Sequence, residues 1–163
     1  MATVTTIPAV KRALLDEIAA INIASATAAA PTYVQTAYAR PPVDQLRSEV
    51  VYFSDELRTI GDSEQRLTSG RRKRYNTWQL EIMVVSSIIS EAEDAEQRAF
   101  VIAQAIENFL AAEPQPAEWA NTPVASGALF VVVTGYDVRH MEDVDGYRTV
   151  EVTIITEIKE RLV

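Results

Sequence analysis

The stretch that decides the fold runs from residue 74 to residue 86 and reads RYNTWQLEIMVVS. Its apolar side chains fall at every second position from Trp78 to Val84, which is the period of a half-buried β-strand. Directly before it, residues 71–74 read RRKR, four consecutive cations in a chain of formal net charge −8. One segment therefore joins a core strand to the strongest charge anomaly in the sequence.

The elements on either side of this strand follow from apolar periodicity and from the positions of Pro and Gly. Helices are predicted at Thr6–Ile23 and from an Asp94–Gln97 capping box to Ala112, and strands at Thr32–Ala39, Val50–Phe53, Arg74–Ser86, Ala128–Arg139 and Tyr147–Ile158. The mainly polar segment from Asp55 to Lys73, 19 residues long, is predicted as a long loop.

This order of elements indicates one α+β domain spanning residues 1–163. We expect a mainly antiparallel sheet of about four to five strands, two helices packed on one face, and a long hairpin loop. The helix and strand stripes predict a core built from six aliphatic residues in particular: Leu80, Ile82, Ile102, Ile106, Val152 and Ile154.

Composition excludes several classes of site. The chain has no cysteine, so disulfides and thiolate metal sites are ruled out. Residues 18–30 are Ala-rich but too short and too weakly apolar to cross a bilayer, and the N-terminus lacks a signal-peptide pattern. We therefore expect a soluble, non-secreted protein with no membrane association.

Residues that carry catalysis are sparse. His140 is the only histidine, which rules out a His-pair zinc site, and no Gly-flanked serine accompanies it. Asp143 and Asp145 precede Gly146, but a calcium loop aligned on that glycine would place Val152 at the position of the bidentate glutamate. The sequence predicts no enzyme, no metal site and no cofactor.

The basic residues between positions 58 and 74 are the candidate contact site. They are Arg58, Arg66, Arg71, Arg72, Lys73 and Arg74, against Asp62 and Glu64, so the segment carries +4 and the rest of the chain −12. Three interpretations stay open: a solvated loop that protects a sheet edge, a surface that docks an acidic partner, and a lining for a DNA passage. Sequence-specific DNA reading is not expected, because no helix carries the basic residues.

The order of elements over nearly the whole chain resembles the tail terminator proteins of long-tailed bacteriophages, which are themselves similar to some neck and tail-completion proteins. The pieces that carry the resemblance are the N-terminal helix, the Val50–Phe53 strand, the loop that ends at residues 70–74 (GRRKR), the Tyr75–Val85 strand, the helix with Arg98 and Ala99, and the terminal hairpin.

The resemblance implies a structural virion protein of the phage tail or neck, present in the host cytoplasm during assembly. Such a protein forms a ring, usually a homohexamer, that caps the tail tube, ends tail polymerisation and forms part of the head–tail junction. The implied partners are other copies of the chain, the tail tube protein and the head-side connector or stopper protein. DNA would pass through the ring lumen without sequence-specific binding.

Two alternatives remain at this point. One is another neck or head-completion protein of the same particle. The other is a cellular ligand-binding α+β module, in which Trp78, Trp119 and Tyr136 would line a pocket instead of packing in the core.

Overall fold

Two helices and one sheet account for most of the regular structure in the described residues. The computed structural model describes residues 6–26, 33–60, 64–68, 71–89, 91–124, 127–141 and 146–162. The elements are helices α1 (Ile7–Ala20) and α2 (Ala92–Ala112) and strands β1 (Gln35–Ala37), β2 (Glu49–Thr59), β3 (Glu64–Thr68), β4 (Arg71–Ile88), β5 (Ala128–His140) and β6 (Arg148–Leu162). Short 3₁₀ turns lie at Val43–Gln45 and Pro116–Glu118.

The sheet has six strands in the order β1-β2-β4-β6-β5, with β3 paired to β4. Only the short β1–β2 pair is parallel; the other pairs are antiparallel. β6 pairs with one edge of β4. β2 and β3 both pair with the opposite edge, β2 along residues 78–86 of β4 and β3 along residues 71–75. The predicted α+β class with a mainly antiparallel sheet is confirmed, and the sixth strand arises within the predicted loop.

Both helices pack on the same face of the sheet. The six predicted core residues have relative exposures of 0%, and they belong to one apolar cluster with the inner sides of α1 and α2. The spacing of apolar residues along the strands and helices therefore predicted these core residues correctly. Burial of this apolar surface supplies the main favourable free energy of folding.

Buried carboxylates tie the chain termini and the α2–β5 connection to this layer. Glu160 at the end of β6 accepts hydrogen bonds from the backbone and hydroxyl of Thr6, just before α1, and from Trp78 Nε1 at 3.0 Å. Gly127 packs so closely on Thr6 that a Cβ there would lie 2.4 Å from Thr6 Cγ2, which explains the glycine. Glu17 of α1 accepts a bond from Asn121 N at 2.7 Å.

The predicted loop from Asp55 to Lys73 is wrong over most of its described length. β2 continues to Thr59, β3 covers Glu64–Thr68, and β4 already begins at Arg71. Residues 61–63 and 69–70 lie outside the described residues. The segment has no alternation of apolar and polar residues, so the sequence pattern gave no strand signal; β3 is defined by its backbone pairing with β4.

The predicted capping box at Asp94 is also wrong. α2 begins at Ala92 with Glu91 as its N-cap, so Asp94 lies inside the first turn. Gln97 instead donates to Glu93 Oε1 at 3.0 Å, an i,i+4 side-chain pair on the helix surface. Acidic residues complement the helix dipole at any position in the first turn, so they predicted that a helix begins here but not at which residue.

The predicted Asp145–Gly146 turn is described only in part. Asp145 lies outside the described residues, and Gly146 has a φ of 79°.

Adjacent isoleucines on β6 provide a test of the two sheet faces. Ile154 is fully buried against the helices, whereas Ile155 lies on the opposite, partly exposed face. We expect Ile154→Ala to lower the free energy of unfolding by about 3–4 kcal/mol and Ile155→Ala by less than half of that. Urea denaturation measures both, and equal losses would contradict the assignment of the faces.

Adjacent serines near the end of β4 test a buried polar group. Ser86 Oγ is buried and finds no hydrogen-bond partner among the described residues, whereas Ser87 Oγ lies 2.8 Å from Thr149 Oγ1. We expect Ser86→Ala to be neutral or to stabilise by up to about 1 kcal/mol, because it removes an unsatisfied group. Ser87→Ala should cost about 1 kcal/mol. Thermal melts that rank the two variants the other way would refute this.

Candidate functional site

The cationic segment forms a two-stranded ribbon, here called the basic hairpin: β3 together with residues 71–75 of β4. Its Cα partners include Thr68↔Arg71, Arg66↔Lys73 and Gln65↔Arg74. The pairing of β4 with β6 ends at Arg74↔Leu162, so residues 71–73 extend past the end of β6. The structure therefore brings Arg66 and Arg71–Arg74 together at the far end of the sheet.

The basic hairpin concentrates positive charge in two paired strands. Residues 64–75 contain five basic residues and one acidic residue, a formal charge of +4. Arg66 and Lys73 are direct cross-strand partners, and like charges in that position destabilise a strand pair. An acidic partner would relieve this repulsion.

Arg58 lies apart from the other predicted contact residues. It belongs to β2 and pairs in register with Gln79, four residues along β4 from Tyr75. Its exposed guanidinium forms an ion pair with Glu56 on its own strand. The sequence grouped Arg58 with the cluster by proximity along the chain, but the extended strand carries it about 13 Å away from the hairpin pairs.

Two cations of β6 stand beside the basic hairpin and were missed from the sequence. Arg161 pairs in register with Tyr75 and Lys159 with Thr77. Lys159 Nζ lies 5.5 Å from the centroid of the Tyr75 ring, within range of a cation–π interaction. The signal was the basic residues near the end of the predicted closing strand, but only the pairing of β4 with β6 shows that they extend the same basic surface.

The start of α2, at the opposite end of the sheet, is acidic. β4 has 18 residues, so its ends lie about 55 Å apart. At the end away from the basic hairpin, α2 begins with Glu91 as its N-cap and carries Glu93, Asp94 and Glu96 in its first turns. A basic hairpin and an acidic helix start thus lie near the two ends of one long strand.

A groove of about 700 Å³ lies between the start of α2 and the end of β5. This α2–β5 groove is lined by Ala92, Glu93, Glu96, Gln97, Phe100, Val101, Gln104 and His140. His140, expected at a strand end on the surface, is the last residue of β5, and its Nε2 lies 2.7 Å from Glu96 Oε2. The lining of the groove combines the carboxylates of Glu93 and Glu96 with the apolar side chains of Phe100 and Val101.

Further along the same seam, Tyr136 of β5 contacts Glu107 of α2. Burial and the hydrogen bond to Glu107 raise the pKa of the Tyr136 phenol above its ordinary value. The seam therefore has two polar links, Tyr136–Glu107 and His140–Glu96, which fix the edge strand against the helix and hold the groove walls in place.

A buried ion pair fixes α2 on the other side. Arg98 Nε donates to Glu49 Oε1 at 2.6 Å, and Ala26 N donates to Glu49 Oε2 at 2.9 Å. Burial alone would raise the pKa of Glu49, but the hydrogen bonds from Arg98 and Ala26 outweigh it and hold the pKa below its ordinary value. The pair positions α2, and hence the groove, on the sheet.

The aromatic residues considered for a ligand pocket are not brought together. Trp119 is buried and donates to Glu113 O at 2.8 Å, and Trp78 donates to Glu160. Tyr136 is on β5 beside α2. Each ring has its own structural contact, so these residues give no support to a common binding pocket.

The described residues form neither a metal-binding cluster nor a membrane-spanning helix. No group of three or more histidine, aspartate or glutamate side chains there is arranged to hold a metal ion. In the same part of the chain, no helix is long and apolar enough to cross a membrane.

Comparisons with known proteins find a likeness of fold. No protein-family profile and no curated protein sequence matches the chain. Its fold is similar to a chain in the solved virion of a native gene transfer agent particle. The likeness covers 93% of this chain and 97% of that one, with 15% sequence identity and a TM-score of 0.47. At these values it supports no statement about function.

The Glu49–Arg98 pair should make the fold acid-sensitive. Because the folded-state pKa of Glu49 lies below its ordinary value of about 4.5, the stabilisation is complete above that pH and is lost as the pH falls through the folded pKa. We expect Glu49→Gln to cost about 3 kcal/mol near neutral pH and progressively less below pH 4.5.

Urea unfolding of both proteins between neutral and acidic pH measures this difference. The control is Glu56→Gln, which removes an exposed carboxylate and should cost under about 1 kcal/mol at any pH. A Glu49→Gln penalty that stays constant as the pH falls would contradict the role of the pair.

Proposed function

We propose that this chain is a non-enzymatic structural protein of a phage-like particle, and that it caps the tail tube as a ring. In this role it ends tail polymerisation and forms part of the head–tail junction. The observation that carries the proposal is the placement of a basic hairpin and an acidic helix start at opposite ends of one sheet. Such a molecule has two different, complementary surfaces.

A head-to-tail ring needs two different contact surfaces on each subunit. Subunits that associate head to tail use two distinct patches, and the contacts close into a ring when the rotation between neighbours is right. Self-association of this kind needs no catalytic residue. The order of elements seen from the sequence, including the terminal β5–β6 hairpin and α2, supports the tail terminator role among such proteins.

The partners proposed for the ring are the tail tube protein on one side and the head-side connector on the other. The basic hairpin supplies an assembly contact because it extends past the end of β6, where a second surface can reach it. Phosphate groups of passing DNA would experience the same positive field, and contacts to phosphates carry no direct sequence information.

Replacing Arg71, Arg72, Lys73 and Arg74 with serine tests the proposal. The fold should persist, because this ribbon is defined by the backbone pairing of β3 with β4. We expect tails of unregulated length and a loss of infectious or transducing particles of at least about 10-fold, since the contact loses four charges. Electron microscopy of tails and particle titres measure the effect.

The matched control removes the same number of cations elsewhere. Arg12, Arg40, Arg47 and Arg148 are exposed and lie outside the basic hairpin. Their replacement by serine should leave tail length unchanged. Normal tails and titres from the hairpin variant, with correct folding shown by circular dichroism, would refute the assembly role.

A further inference from the structure

The α2–β5 groove exposes apolar side chains that the fold has no internal use for. α2 already buries one full stripe, yet Phe100 is 37% and Val101 56% exposed beside it. Large exposed apolar side chains that share a groove with polar walls are typical of an interaction surface.

Within the described residues, the glutamates that line this groove retain acceptor capacity beyond their contacts with Gln97 and His140. Glu93 uses Oε1 to accept from Gln97, and Glu96 uses Oε2 for His140. An ionised carboxylate has two acceptor oxygens, so each of these groups retains one for a further donor. Guanidinium groups bind carboxylates in this way and also stack on aromatic rings such as Phe100.

The basic hairpin has the complementary chemistry. It is an extended ribbon with a formal charge of +4 and four arginines, whose aliphatic stems can cover apolar surface while their head groups stay polar. α2 carries Glu93, Asp94, Glu96 and Glu107 against Arg98, a formal charge of −3. A cationic ribbon and an apolar groove with acidic walls are matched in charge and in chemical character.

The two surfaces cannot meet within one molecule. The hairpin lies at the Arg71 end of β4 and the groove at the Ile88 end, about 55 Å apart along a strand that is paired throughout. We propose that the basic hairpin of one copy docks into the α2–β5 groove of a second copy. The contact is heterologous, because each molecule donates one surface and receives the other.

This docking deepens the proposed function, and it rests on that function for its biological setting, since a capping ring requires copies that join head to tail. Association itself, however, is a property of the purified chain. It can fail while the capping role stands, if other surfaces hold the ring together.

Reciprocal charge reversal tests the docking. One variant carries Glu93→Lys and Glu96→Lys in the groove, and the other carries Arg71→Glu and Arg72→Glu in the hairpin. We expect each alone to self-associate at least about 10-fold more weakly than the wild type, because like charges then face each other. Mixing the two variants should restore association, since each reversed surface meets a partner of opposite sign.

Sedimentation velocity at low ionic strength measures association, with Glu113→Lys plus Glu118→Lys as the control. These two exposed residues give the same change in net charge outside the groove lining and should leave association intact. Variants that associate as well as the wild type, or a mixture that stays dissociated, would overturn the docking.

A disulfide trap gives an independent readout, because the chain has no native cysteine. The double variant Arg72→Cys with Gln97→Cys places one thiol on each surface. Oxidation should yield a ladder of covalent oligomers, whereas either single variant should stay monomeric, because docking brings no second thiol to its cysteine. A double variant that yields no species beyond the dimer overturns the inference.

Particle assembly then separates the two proposals. Groove and hairpin reversals that abolish association of the purified chain, together with normal tails from the Arg71–Arg74 serine variant, would keep the docking and refute the assembly role of the basic hairpin. Normal association of every variant, with tail defects in the Arg71–Arg74 serine variant alone, would refute the docking and keep the capping role.

Discussion

The pairing of β4 with β6 is the constraint on which the rest of the structure depends. Fifteen consecutive residue pairs run from Arg74↔Leu162 to Ile88↔Arg148 without a register shift. Side chains on one side of this ladder form the floor of the core under both helices. Because the ladder is long and regular, it also fixes the distance and direction between the two charged ends, which are separate surfaces of one rigid body.

The sequence predicted the parts of the fold that depend on burial. Strand period placed Leu80 and Ile154 in the core, and helix period did the same for Ile102 and Ile106. The prediction of strands failed where the sequence has no pattern of apolar residues. The sequence of the basic hairpin is mostly polar, and its strands are shown only by the pairing of β3 with β4. Polarity alone indicated a loop.

The candidate site was predictable in its charge but not in its geometry. The run at Arg71–Arg74 marked one surface, yet Lys159 and Arg161 join it only through the β4–β6 register, and Arg58 lies apart from it because β2 pairs Arg58 with Gln79. The α2–β5 groove depends on contacts between residues far apart in the chain, such as His140 with Glu96. Such contacts have no local pattern.

The Glu160–Thr6 link places both ends of the described chain close to the basic hairpin, since Thr6 bonds Glu160 and Leu162 pairs with Arg74. Any fusion or affinity tag joined after Leu162 therefore starts beside Arg74, next to the surface proposed to make the assembly contact. A bulky or acidic tag at that position would compete with the hairpin's partner. The turn at Gly146, at the other end of β6, is the more distant place for a label that must leave the hairpin free.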